Sequence, residues 1–284
     1  MRPVSPSRNN QDSRSGRPRR GARRPAPLLA LLAVLALSAH ADPAAAAAPP
    51  LPTSACPVSV VGHRGTDAGG VRNNTIAAFV RAAADGADVL ELDIHRTRAD
   101  SSGRGTWVVN HDATIEGRAI ARTSYATLKR LRPDLATFRQ AVRYAATAHL
   151  PMQVEVKPSR VGTGSLRYFA ATADDLGMVG RFELDSAHPK VLTAFRSLRT
   201  PFATGYILRS YASPAAVTKV ADTALLSSRI TTRAWARALR RAGVAVEVWT
   251  VDASADWSRY VGYPVDAIIT DRSGALVAWC RQRD

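Results

Sequence analysis

Cysteine occurs only twice in the 284 residues, at Cys56 and Cys280. So thin a supply argues against a thiolate zinc centre. In an exported chain two lone cysteines pair rather than react. No apolar run reaches the roughly 20 residues that cross a bilayer. The run of Leu, Ala and Val at 28–37 stops at ten, so a stable membrane anchor is not expected. Neither Gly-x-Gly-x-x-Gly nor a phosphate-cradling Gly-x-x-x-x-Gly-Lys loop is present, which removes the usual nucleotide fingerprints. Aromatics make up 6% of the chain. No basic stripe is interleaved with them, so nothing points to nucleic acid as a partner.

Acidic residues are also scarce, 23 against 39 Lys and Arg, for a net charge of +16. Much of that excess is local. Residues 1–24 hold eight arginines and one aspartate, and the apolar run follows, ending in Ser38-Ala39-His40-Ala41. A basic start, a short apolar centre and small residues before a cut describe a secretory signal at 1–41. The pairs Arg19-Arg20 and Arg23-Arg24 leave the twin-arginine route open beside the general one. Without residues 1–41 the charge falls to +9, which suits a soluble basic surface and a mild pull on an anionic substrate. Residues 42–55, rich in Ala and Pro, read as a flexible lead-in, and 56–284 as one domain.

Within that domain β-rich runs alternate with helical spacing. Strands are expected at 58–61, 89–94, 107–110, 152–156, 244–251 and 267–270, with weaker ones at 182–184, 203–208 and 224–226. Helices are expected at 75–85, 135–149, 166–176, 232–242 and 275–281. Such alternation gives a parallel sheet, either doubly wound or closed. His63, Asp93, His111, Lys157 and Asp252 all fall at or just past strand ends, where a barrel assembles its site, so a (β/α)8 TIM barrel is expected. A barrel also lets Cys56 meet Cys280.

Glu91 and Asp93 stand two apart on one strand and share a face, while Leu90, Leu92 and Ile94 take the other. Glu155 and Lys157 repeat the spacing. Carboxylates gathered in a barrel mouth repel unless a proton or cation lies between them. Oxygen ligands alone suit a divalent cation, Ca²⁺ or Mg²⁺; internal ion pairs with Arg64 or Lys157 would account for one such pair, but the same spacing on two strands favours the cation. His63 and His111 follow strands on the same rim and suit a general acid and a general base. Arg64 offers a donor fork for a phosphate oxygen. His95 is read as pointing off the site face, and His149 and His188 as ordinary.

The stretches HRG…NNT, ELDIH, WVVNHD, VEVKP, VEVWTVD and DAIITDR, in this order from about residue 58 to 272, resemble the glycerophosphodiester phosphodiesterase family. The resemblance implies a TIM-type barrel of the phospholipase C-like kind that hydrolyses a phosphodiester with a divalent cation. It implies His63 and His111 as the acid–base pair and Arg64 and Lys157 as phosphate contacts. It implies Glu91, Asp93 and Glu155 as metal ligands, and Trp249 at the pocket wall. The family usually has Glu-Asn-Thr where this chain has Asn73-Asn74-Thr75, so Asn73 takes the place of an acidic ligand. Asp67, earlier in that loop, is a candidate substitute. The expected activity is release of an alcohol and glycerol 3-phosphate from small glycerophosphodiesters such as glycerophosphocholine. Lysophospholipids, wall glycerol-phosphate polymers, or silent capture of phosphodiesters are the alternatives. Which histidine is acid and which base, and whether water or a glycerol hydroxyl attacks, stay open.

Overall fold

The structure is a computed structural model and describes residues 56–101 and 103–283. The signal at 1–41 and the lead-in at 42–55 lie outside the described residues. The strands in chain order are β1 (Ser59–Gly62), β2 (Val89–Arg96), β3 (Trp107–Val109), β4 (Thr114–Ile115), β5 (Arg118–Ala119), β6 (Met152–Val156), β7 (Phe182–Ser186), β8 (Ala203–Leu208), β9 (Thr223–Ser227), β10 (Ala245–Trp249) and β11 (Ala267–Thr270). The parallel strands run β1-β2-β6-β7-β8-β9-β10-β11, and β11 pairs back onto β1. Ser59 lies opposite Ala267 on one side of β1, and Val61 opposite Val89 on the other. Closure leaves the parallel sheet without an edge. The expected barrel is present.

The helices are α1 (Ile76–Ala84), α2 (Tyr125–Leu131), α3 (Phe138–Thr147), α4 (Thr163–Asp175), α5 (Pro189–Arg196), α6 (Pro214–Thr218), α7 (Arg233–Arg241), α8 (Ser254–Val261) and α9 (Ser273–Arg281). Their starts are written locally. Thr75 and Thr232 accept N–H bonds from Ala78 and Trp235, and Thr137 with Gln140 forms a full capping box on α3. The apolar parity of β2 faces these helices: Leu90, Leu92 and Ile94 are wholly buried with Phe79, Phe138 and Phe169. Each such side chain contributes roughly 1.5–3 kcal/mol by leaving water. The same parity sends Glu91 and Asp93 inward.

Three expectations needed revision. The run at 107–110 forms a strand, but β3 pairs antiparallel onto the far half of β2, with Ile94 opposite Val109, and is not a barrel stave. Strand β2 continues to Arg96, beyond the expected end at 94. Helices α2, α5, α6 and α8 were not anticipated; they are short, five to eight residues, too few turns for a helical period to stand out. The two cysteines are bonded, with Cα atoms 5.1 Å apart across 224 residues, so the approach to β1 is tied to α9.

Candidate active site

Each functional side chain sits where a strand gives way to a loop. β1 ends at Gly62, and Arg64 and Gly65 then take left-handed φ values of 55° and 84°. A Cβ at Gly65 would come within 2.6 Å of the α1 backbone at Ala78, so only glycine lets this turn lie on the helix. The turn aims the Arg64 N–H at Glu91 Oε2, 2.8 Å away, and brings its Nε within 3.3 Å of Asp93 Oδ2. That second contact is an ion pair without hydrogen-bond alignment, since Arg64 Nε has no hydrogen-bond partner.

His63 Nδ1 lies 2.6 Å from Asp271 Oδ1, just past β11. Asp271 is itself held. Its N–H donates to Asp252 Oδ1 at 2.9 Å, as does Thr270 Oγ1, and its carbonyl accepts from Thr66 Oγ1 at 3.0 Å. Burial works against a charged His63, but the Asp271 hydrogen bond and the nearby Glu91 outweigh it and raise its pKa. His111 moves the other way: burial lowers its pKa although Asp93 and Asp112 oppose the shift. Its Nδ1 lies 2.8 Å from Asp112 Oδ1. The rings are thus biased toward opposite protonation states, as a paired acid and base require.

Ligand oxygens of Glu91, Asp93 and Glu155 lie within 4.8 Å of one another. Burial, then repulsion from Asp93, pushes Glu91 up to about 8 and Glu155 up to about 7. Burial would raise Asp93 too, but Lys157, Arg64 and the Asn74 amide hold it at about 2. Lys157 Nζ reaches Asp93 Oδ1 at 3.3 Å and Glu155 Oε2 at 3.1 Å. The internal ion pairs are therefore real, yet they leave Glu91 and Glu155 crowded. An all-oxygen set under this repulsion fits a hard divalent cation.

The structure brings together His63, Arg64, Glu91, Asp93, Glu155 and Lys157, and couples His111 to them through Asp93. Asn73 is half-buried, and no hydrogen bond fixes its side chain among the described residues. Its neighbour reaches the cluster instead. Asn74 donates from Nδ2 to Asp93 Oδ2 at 2.8 Å and accepts the Asp93 N–H at 3.1 Å. Asp67 is exposed and lines a groove with Arg81, Asp85 and Arg272 rather than joining the carboxylates. Trp249 ends β10, half-buried, its Nε1 donating to the Leu225 carbonyl at 2.9 Å.

One reading is overturned. His95 does not point off the site face: it shares the parity of Glu91 and Asp93, and its Nε2 lies 3.0 Å from the His111 carbonyl. Counting by twos from Glu91 was signal enough. Asn74 and Asp271 are further residues of the site; Asp271 directly follows a strand, the same cue that marks His63.

A cavity of about 550 Å³ opens at the opposite, N-terminal end of the barrel, lined in part by Gln153, Glu183 and Glu247. None of the catalytic candidates lines it. Burial raises Glu183, Asp185 and Glu247, and Glu247 reaches about 8. The convergent acids, bases and cations are at the other mouth, where barrel catalysis resides.

A scan against protein families matches residues 63–275 to the glycerophosphoryl diester phosphodiesterase family. The chain belongs to that family. Membership makes hydrolysis of glycerophosphodiesters its activity. Among solved structures it is similar to a glycerophosphodiester phosphodiesterase from Parabacteroides distasonis, 23% identical, with a TM-score of 0.70 over 80% of this chain and 98% of that one. It is also similar to one from Agrobacterium tumefaciens, 22% identical, TM-score 0.64, over 78% of this chain and 99% of the other. An Oleispira antarctica phosphodiesterase in complex with the product sn-glycerol-3-phosphate is 16% identical, with a TM-score of 0.64 over 78% and 96% of the two chains. At these identities the structures share the barrel. No curated protein matches the chain in sequence.

Proposed function

We propose that this phosphodiesterase is an exported, divalent-cation-dependent enzyme that releases an alcohol and glycerol 3-phosphate from small glycerophosphodiesters. The observation that carries this is the crowding of Glu91, Asp93 and Glu155 within 4.8 Å, beside Arg64 and Lys157 and next to His63 on its Asp271 anchor. Glu91, Asp93 and Glu155 would hold the cation. When bound, it supplies positive charge against the charge that grows on the phosphate.

Arg64 and Lys157 bind the phosphate oxygens and add cationic charge of their own. Asp271 accepts from His63 Nδ1 and so fixes the ring, leaving Nε2 as the working atom. His63, its pKa raised, would donate its proton to the departing alkoxide, and His111, its pKa lowered, would take the proton of the nucleophile. Trp249 walls the alcohol side. Export rests on residues 1–41, and the disulfide between Cys56 and Cys280 suits an oxidising destination. Calcium and magnesium both fit oxygen ligands. With Asn73 where the family has an acidic residue, one anionic ligand fewer is available, which lowers affinity for either.

Turnover of glycerophosphodiesters after EDTA treatment, with Ca²⁺ or Mg²⁺ restored, tests this reading. Restored activity that falls on the order of 10²- to 10⁴-fold in His63→Ala is expected. Full activity in the chelator would remove the cation from the account. Turnover unaffected by His63→Ala would remove the acid–base assignment.

A further inference from the structure

Trp249 is fixed at the mouth from two directions. Its Nε1 is tied to the Leu225 carbonyl at 2.9 Å, and it packs on the inward cluster of Val61, Ile207, Leu225 and Ile269. Over the ring lies the guanidinium of Arg209, 4.8 Å from the centroid. Arg209 follows β8, is exposed, and makes no ion pair among the described residues. An aromatic face is where a quaternary ammonium would dock, through its attraction to the ring. Here that face is already taken by a cation belonging to the protein.

The surrounding loops carry the same sign. Those following β6 to β10 on this rim contribute Lys157, Arg160, Arg209 and Arg229 against one carboxylate, Asp252. Asp252 is committed to Thr270 Oγ1 and the Asp271 N–H, so it offers little to a substrate cation. Resting on the phosphodiesterase reading, we propose that Arg209, seated on Trp249, sets the head-group preference. It disfavours a quaternary ammonium and favours an alcohol bearing a further phosphate or carboxylate. A choline group must displace Arg209 or sit beside it, against like charge. An anionic group meets a guanidinium already held over the ring, with no hydrogen bond or ion pair among the described residues to compete for it.

The test compares kcat/KM of the full chain on glycerophosphocholine and on a glycerophosphodiester whose alcohol carries a second phosphate, for the wild type, Arg209→Ala and Arg209→Lys. The wild type is expected to prefer the second substrate. Arg209→Ala should lower its kcat/KM roughly tenfold, mainly through KM, and raise that for glycerophosphocholine. Arg209→Lys should fall between them. Equal losses on both substrates, no change on either, or a wild-type preference for choline overturns the proposal. Calorimetric binding of the alcohols alone, glycerol 2-phosphate against choline, reads the same pocket without turnover. If neither diester is cleaved, the phosphodiesterase reading fails separately, while tighter, Arg209-dependent binding of glycerol phosphate still supports the pocket. Indifference to both alcohols overturns it.

Discussion

His63 shows how one neighbour sets the chemistry of a side chain. Burial alone would favour the neutral ring, yet Asp271 raises the pKa because its carboxylate accepts from Nδ1 at 2.6 Å. Asp271→Asn removes that charge while keeping the shape. The raised shift should then shrink, so the limb of the pH–rate profile that reports His63 moves to lower pH. The kcat/KM value should fall on the order of 100-fold as the ring loses its orientation. NMR titration of the His63 ring beside the rate profile checks both. A profile that does not move would mean Asp271 only fills space. Asn74 is a second such residue: it grips Asp93 by side chain and backbone while itself holding a φ of 57°.

Strands β2 and β6 lie side by side, with Asp93 opposite Glu155 in register. Pairing in register is what turns two separate carboxylate spacings into one crowded cluster. The burial and repulsion that raise Glu91 and Glu155 are a cost to the folded barrel, and a cation that binds only the folded state offsets it. Adding Ca²⁺ or Mg²⁺ after EDTA should raise Tm. Glu155→Gln should raise Tm in EDTA and blunt the gain on adding metal, both readable by calorimetry. A metal-induced rise unchanged in Glu155→Gln would place the cation elsewhere. Deeper in the barrel, Gln153 Nε2 donates to both oxygens of Glu247 at 2.8 Å. Burial nonetheless raises Glu247 from 4.5 to about 8. Here the folded pKa lies above the unfolded one, so the folded state keeps a proton that the unfolded chain releases. The associated stability is full below the unfolded pKa and is lost as pH rises through about 8. Denaturant unfolding in EDTA should show stability falling between about pH 5 and about pH 8, and Glu247→Gln should flatten that fall.

For the whole molecule, closure of the barrel brings the chain's two cysteines together. The bond joins the approach to β1 with α9 across 224 residues, so it restrains nearly the whole described chain when unfolded. Reduction, or Cys56→Ser with Cys280→Ser, should lower unfolding stability by about 2–5 kcal/mol. Urea unfolding with and without reductant measures this; an unchanged midpoint would mean the reduced barrel holds its ends by packing alone. Closure also places loops from distant parts of the chain on one rim. His63 and Asp271 are separated by 208 residues yet share a hydrogen bond because β1 and β11 are neighbours.

Alternation of hydrophobic residues was enough to determine most strands, because a barrel strand must bury one parity against helices whatever its partners are. The same parity placed Glu91 and Asp93 inward, and applied once more it would have placed His95 with them. Six motifs in order were enough for the family, and they name most of the residues that the barrel gathers at one mouth. Only the tertiary structure decided that β3 lies outside the barrel, that Asn74 rather than Asn73 grips Asp93, that Asp271 serves His63, and that Arg209 covers Trp249. Each of these is a contact between elements far apart in the chain or a turn with a left-handed residue. Strand register and loop geometry set them, and local periodicity carries neither.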